Sequence, residues 1–224
     1  ASAFIDGPAS FLPDERYLEK KEAVDRAAAL YRRAFRLLSA ALERRCPGII
    51  EAAVDGQADY SRFKKADVPL LYWTAVSVLA GFGLDPLDFH AARHLGAASA
   101  FLARAAELDP GWNKGAIWEL YVTYYASMPP YLGGDPAKAI DAYEKTVSYS
   151  KGVSPSIYVT YATAICVPND DYDGYKSSLE RALAIDPDAD PDARLATALA
   201  QGRARRLLEG ASKYFILPEG EYQP

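Results

Sequence analysis

The sequence has few of the side chains that most chemistry needs. Two cysteines, two histidines and one methionine stand among 224 residues. Cys46 and Cys166 lie far apart with no C-x-x-C and no Cys/His cluster, so they indicate neither a metal site nor a redox motif. His90 and His94, at i, i+4 with Asp88 nearby, have the spacing from which a transition-metal site starts. The run His-Ala-Ala-Arg-His lacks the Glu of H-E-x-x-H, however, and sets Arg93 where its charge opposes a cation, so a surface or core pair is the plainer reading. The alternation Asp186, Asp188, Asp190, Asp192 imitates a calcium loop. It fails in detail, because the sixth position holds no Gly, Thr197 stands where the bidentate Glu belongs, and two prolines stiffen the loop. With no G-x-S-x-G, Walker loop or dinucleotide-binding glycine pattern, catalysis is unsupported and no cofactor is expected.

Acidic residues outnumber basic ones, 30 to 25. The net charge of -5 and a pI of about 5.2 argue against nucleic acid, whose partners present a basic face strong enough to displace counterions. The longest uncharged run of note, Val68 to Leu84, is shorter than the roughly 20 residues of a membrane span and contains Pro69, Thr74 and Ser77, so it reads as a buried helix. Neither an initiator Met nor a signal peptide is seen, so the chain reads as already processed or cut, with any lipid anchor removed from view.

Apolar residues are plentiful. They make up 50% of the chain, enough for a sizeable core in one large domain or two small ones. The pattern predicts an extended N-terminal arm over residues 1–13, a single all-helical repeat domain over 14–210 and a tail over 211–224. A helix capped near Asp14 runs to Arg45, with Val24, Ala27, Tyr31, Ala34, Leu38 and Ala41 on one face. Its arginines, among them Arg32, Arg33, Arg36, Arg44 and Arg45, read as a solvated flank or an acidic docking face, the flank being the plainer case. Pro47-Gly48 break that helix, and one or two short helices around Gly56 follow over 49–65. Asp67 caps the next helix, which Gly81 and Gly83 end. Asp85-Pro86 then start a helix carrying Ala98, Leu102 and Ala105 that stops at Leu108-Asp109-Pro110.

An internal repeat is visible. Leu102-x-x-Ala105-x-x-Leu108-Asp109-Pro110 recurs as Leu179-x-x-Ala182-x-x-Ile185-Asp186-Pro187, 77 residues on, with Tyr143-x-x-Thr146 in the equivalent place between them. A bulky residue followed by a small one lets two antiparallel helices approach closely, as in the second helix of a tetratricopeptide repeat. The expected fold is therefore an all-α, tetratricopeptide-like solenoid with an added long N-terminal helix and an inter-helix loop insertion. First helices fall near Gly111–Ala126 and Pro155–Cys166, and second helices near Pro136–Ser150 and Tyr172–Ile185. A capping helix runs from Asp190-Pro191 to about Leu208, with Arg194, Arg203, Arg205 and Arg206 in solvent. Tyr214, Phe215, Ile216 and Leu217 suit a tail docked on something apolar.

The insertion is the stretch Tyr124 to Pro136. In it Pro129-Pro130 end one helix, Gly133-Gly134 permit a tight path, Asp135 is a natural N-cap and Pro136 suits a first turn. Tyr124, Tyr125, Met128, Tyr131 and Leu132 are apolar where a connection is normally polar. Together with Tyr72, Trp73, Trp112, Trp118, Tyr121, Tyr158 and Tyr161 they suit the wall of a groove or tunnel for an apolar ligand. Rings at helical spacing are also ordinary core.

Three blocks carry a family resemblance: Val68-Pro-Leu-Leu-Tyr-Trp73; Tyr124 to Pro136; and Leu183 to Ala196 with the following Gln201 to Leu208. In order and content they resemble the TatT family, the tetratricopeptide-repeat T component of TRAP transporters. The resemblance implies a non-enzymatic bacterial periplasmic lipoprotein, tethered by an N-terminal lipid and working beside a TRAP solute-binding protein. It also implies a homotrimer with an apolar channel for a hydrophobic small molecule through each protomer. No Cys stands at the start of this chain to carry the lipid, so contact with a membrane is expected only through an anchor missing from it, and Cys166 belongs to none of the three blocks. The alternative reading is a general docking scaffold without a small-molecule ligand.

Overall fold

The computed structural model describes residues 12–217, so most of the predicted arm and the tail beyond Leu217 lie outside the described residues. Among those described the chain is all-α, with ten α-helices and no strand. They are α1 (Tyr17–Arg45), α2 (Ile49–Val54), α3 (Val68–Leu84), α4 (Phe89–Arg93), α5 (Leu95–Leu108), α6 (Trp112–Ser127), α7 (Pro136–Ser150), α8 (Pro155–Tyr161), α9 (Tyr172–Ala184) and α10 (Arg194–Glu209). The chain divides into two compact units, Ala1–Trp112 and Asn113–Pro224.

In the first unit α3 packs between α1 and α5. Arg45 pairs with Asp67, whereas Tyr31 meets Gly81 and Arg32 meets Asp85 and Asp88, so α1 and α3 run antiparallel. Val68, Leu71, Ala75 and Val78 are buried along α3. The longer stretch Lys65–Leu84 is long and apolar enough to cross a membrane by length and composition only, while the 17-residue α3 within it packs as the buried helix expected. The Glu43 carboxylate accepts from the N–H groups of Gly48 and Ile50, at 2.6 and 2.9 Å, and so ties α1 to the start of α2.

Several expected boundaries move. α3 ends at Leu84, one residue past Gly83, so the expected stop holds there while Gly81 lies inside the helix. Burial of Gly81 against Tyr31 outweighs a propensity cost of about 1 kcal/mol per glycine. Asp67 precedes α3 but does not cap it. Its carboxylate turns back to accept from the Lys64 N–H at 2.8 Å and from Arg45 at 3.2 Å. Asp85-Pro86 form a turn, not a helix start, and Asp88 is the cap, accepting from His90 and Ala91 N–H groups at 2.9 and 3.1 Å. Burial raises the Asp88 carboxyl, but these N–H groups and Arg32 outweigh it and hold the group below its ordinary range. The helix expected from there to Leu108 breaks at His94 into α4 and α5. Over 49–65 only α2 forms, before Gly56 at φ 69°.

In the second unit α6 and α7 form an antiparallel hairpin: Gly115 lies by Thr146 and Tyr149, Trp118 by Lys145, and Tyr125 by Lys138. The N-terminal turn of α6 is not helical, since Asn113, Lys114 and Gly115 have φ of 46°, 58° and 86°. A Cβ on Gly115 would lie 2.9 Å from that of Tyr149, so the absent side chain is what lets α6 and α7 close up. α7 spans Pro136–Ser150 as expected, with Asp135 Oδ1 accepting from Ala137 and Lys138 N–H at 3.0 and 3.2 Å. α8 continues into a π-turn over Ala162–Cys166, so the helix expected to Cys166 is α-helical only to Tyr161.

Both copies of the Leu-x-x-Ala segment are fully buried, at Leu102, Ala105, Leu179 and Ala182. α9 packs on α8 and α10. Gln201 is buried, and its Nε2 donates to the carbonyls of Ala182, Leu183 and Ile185, at 3.2, 3.2 and 2.7 Å, which satisfies the open C-terminal end of α9. Arg194, Arg203, Arg205 and Arg206 are exposed on α10. In the tail Phe215 packs on Tyr172 and Tyr175, whereas Ile216 is fully exposed.

Candidate functional site

Spacing of three and four residues along α6 sets Trp118, Tyr121 and Tyr125 on one face. Their rings follow one another at 5.7 and 5.1 Å, and Tyr121 and Tyr125 are stacked within 9° of parallel. Lys145 covers the Trp118 ring at 4.4 Å and Lys138 the Tyr125 ring at 5.8 Å, so each end of the ladder carries a cation over an aromatic face. Tyr121 is buried, while Trp118, Tyr124, Tyr125 and Met128 are half-buried. Burial pushes the Tyr125 phenol above its ordinary pKa.

The loop after α6 is fixed to this ladder. Tyr124 Oη donates to the Leu132 carbonyl at 2.7 Å, and the Asp135 N–H donates to the Tyr125 carbonyl at 2.9 Å. Gly133 takes φ 94°, and any Cβ on Gly134 would overlap the Met128 carbonyl. The outcome is a short 3-10 turn, Pro130–Leu132, that holds Tyr131 outward at 85% exposure with Leu132 beside it at 37%.

A second ring group joins α7 to α8. Tyr143 lies 4.2 Å from Tyr161 and 6.5 Å from Tyr158, and Arg181 stacks over Tyr158 while donating to its hydroxyl at 3.2 Å. Tyr158 is buried. Tyr143 was missing from the predicted site, although its place in the repeat already marked it as facing the preceding helix. In the first unit Tyr72, Trp73 and Trp112 form a third group, with Tyr72 at 5.1 Å from Trp73 and 4.7 Å from Trp112. Trp73 is half exposed. The predicted residues therefore fall into three clusters.

Two cavities are lined by other residues. In the second unit a cavity of about 480 Å³ is lined by Glu119, Ser154, Ser156, Thr197 and the Lys114–Asp190 ion pair. Burial raises the Glu119 carboxyl, and the Ser156 hydroxyl only partly offsets this. The signal for Glu119 in the sequence was a lone acid inside the aromatic run Ile117-Trp118-Glu119-Leu120-Tyr121. In the first unit a cavity of about 420 Å³ opens between α1, α3 and α4. His94 is buried there, and its Nδ1 donates to the His90 carbonyl at 2.7 Å. The aspartates at 186–192 serve as turn and ion-pair groups: Asp188 meets Arg194, Asp190 meets Lys114, and Asp186 accepts from the Asp188 N–H.

A family model described as "TAtT: TRAP transporter T-component" matches residues 1–215, nearly the whole chain. The chain belongs to the TRAP transporter T-component family. It is also 35% identical over 221 residues to an uncharacterized protein of Treponema pallidum (strain Nichols), covering 96% of this chain and 68% of that relative. A T-component is an accessory of a transporter, which implies a non-catalytic role and association with the TRAP system. In this T-component the block Tyr124 to Pro136 is the pinned loop that presents Tyr131. Gln201 joins the block Leu183 to Ala196 to the one that follows it.

Proposed function

We propose that this T-component is a periplasmic, lipid-anchored, homotrimeric accessory that docks a TRAP solute-binding protein and holds a hydrophobic small molecule against its aromatic face. The presentation of Tyr131 carries the reading. An aromatic side chain that is 85% exposed, on a loop tied down by Tyr124 and Asp135, loses little conformational freedom when a partner covers it. The half-buried faces of Trp118 and Tyr125 on α6 supply apolar area, worth roughly 25 cal/mol per Å² removed from water. Burial of the two Leu/Ala pairs supports the tetratricopeptide-type repeat as the frame.

Native mass spectrometry of the purified protein, followed by solvent extraction, tests the ligand. A bound apolar species released by solvent is expected. A second reading, a docking scaffold alone, is favoured by the burial of Tyr121 and Tyr158. In that case nothing is extracted, and Tyr131→Ala weakens only partner binding.

A further inference from the structure

The cavity of the first unit is built from one face of α1 opposite α3 and α4. Arg32, Phe35, Arg36 and Ser39 recur at three- and four-residue steps, so they line up along one side of the helix and all border the cavity. Across from them stand Val78, His90 and His94. The Phe35 ring meets His94 edge-on at 4.8 Å, and His90 meets His94 at 4.9 Å, so three rings of differing tilt form a continuous aromatic wall. The volume of about 420 Å³ lies within the range of small-molecule pockets, roughly 300–1,000 Å³.

Two polar groups on this face are not used by the fold. Ser39 Oγ is shielded from solvent and has no hydrogen-bond partner. Other helical hydroxyls of this protein behave differently: Thr74, Ser77, Thr146 and Thr163 each donate to a carbonyl three or four residues back. A buried hydroxyl left unpaired is costly, so natural sequences seldom keep one without a use. Arg36 forms no ion pair or hydrogen bond among the described residues, whereas Arg32 divides its charge between Asp88 at 3.4 Å and Asp85 at 3.8 Å. Asp88 is further neutralised by the N–H groups of His90 and Ala91. The lining therefore carries one uncompensated positive charge, on Arg36, one helical turn from the unpaired Ser39 hydroxyl.

We propose that this cavity binds a small aryl carboxylate, its ring against Phe35, His90 and His94 and its carboxylate between Arg36 and Ser39. A planar guanidinium and a hydroxyl match the two oxygens of a carboxylate, and one surplus charge matches one anion. An aromatic body suits the ring wall because edge-to-face packing adds to the area it hides from water. All of the lining residues named belong to the first unit, and none is a ring of the α6 ladder or of the loop after it.

Fluorescence titration of the full chain with 2-naphthoate tests the proposal, with 2-naphthalenemethanol and octanoate as comparators. Saturable binding is expected, with the uncharged alcohol and the ring-less acid each weaker by roughly tenfold. Arg36→Gln, at an exposed position, is expected to weaken 2-naphthoate by about tenfold. Ser39→Ala should weaken it by about threefold while leaving the thermal midpoint equal or higher, since it removes an unpaired hydroxyl. No saturable binding, or equal affinity in wild type and Arg36→Gln, overturns the site. Equal binding of the alcohol overturns the carboxylate, and equal binding of octanoate overturns the ring.

Discussion

The Tyr124 hydroxyl donates to the Leu132 carbonyl at 2.7 Å, tying the end of α6 to the loop eight residues on. Tyr124→Phe keeps the ring and removes only this bond. Unfolding in urea should show a loss of about 1 kcal/mol, typical of one hydrogen bond. If the pinned loop presents Tyr131 to a partner, the same change also lowers partner affinity. An affinity equal to wild type, together with the stability loss, would separate the loop from docking.

Gly134 makes a sharper case. A Cβ there would overlap the Met128 carbonyl oxygen, and backbone on both sides leaves no flexible side chain to yield. Gly134→Ala should therefore destabilise the second unit by about 2 kcal/mol, as strained backbone substitutions do. A melting midpoint equal to wild type would show that the loop path is not fixed as described.

Glu119 links stability to pH. Its carboxyl is raised in the folded protein by burial, against the partial offset of Ser156. A raised folded-state pKa favours the protonated folded form. The contribution is therefore fully present below the unfolded value and is lost as pH rises through the folded one. Relative to wild type, Glu119→Gln should then gain stability as pH rises from acid toward neutral, and the two should converge at low pH. Parallel curves across that window would contradict the burial argument.

Cys166 is buried, and burial, aided by Asp171, pushes its thiol up to about 12. The thiolate is the reactive species, so native protein at pH 8 should leave Cys166 unmodified by DTNB or iodoacetamide until denaturant is added. Peptide mapping of the labelled protein reads this directly. Rapid native labelling at Cys166 would contradict it.

Much of the fold was legible because local chemistry and packing agree. Asp135-Pro136 predicted the start of α7, where the carboxylate does accept from two N–H groups. The same dipeptide at Asp85-Pro86 misled, since Asp88 lies three residues on and is the carboxylate that meets the free N–H groups of α4. Gly81 likewise looks like a stop to a local reading, yet it is a contact point for Tyr31, some 50 residues earlier. The candidate site was less legible for the same reason. The α6 ladder follows from helical spacing, but the cavity beside Ser39 joins α1 to His90 and Val78, and no short-range pattern brings these together. Gln201 stood inside a recognised block, while its partners, the carbonyls at the end of α9, became apparent only once the helices were packed.

The proposed docking of a TRAP solute-binding protein on the face that presents Tyr131 can be read from a single complex. A pull-down of that binding protein from the same transporter system, with light scattering of the recovered complex, tests it most directly. A complex built on three copies of this chain is expected, with affinity reduced roughly tenfold by Tyr131→Ala, as for an aromatic anchor at an interface. Failure to recover a complex from the two folded proteins, or equal recovery with Tyr131→Ala, would contradict it.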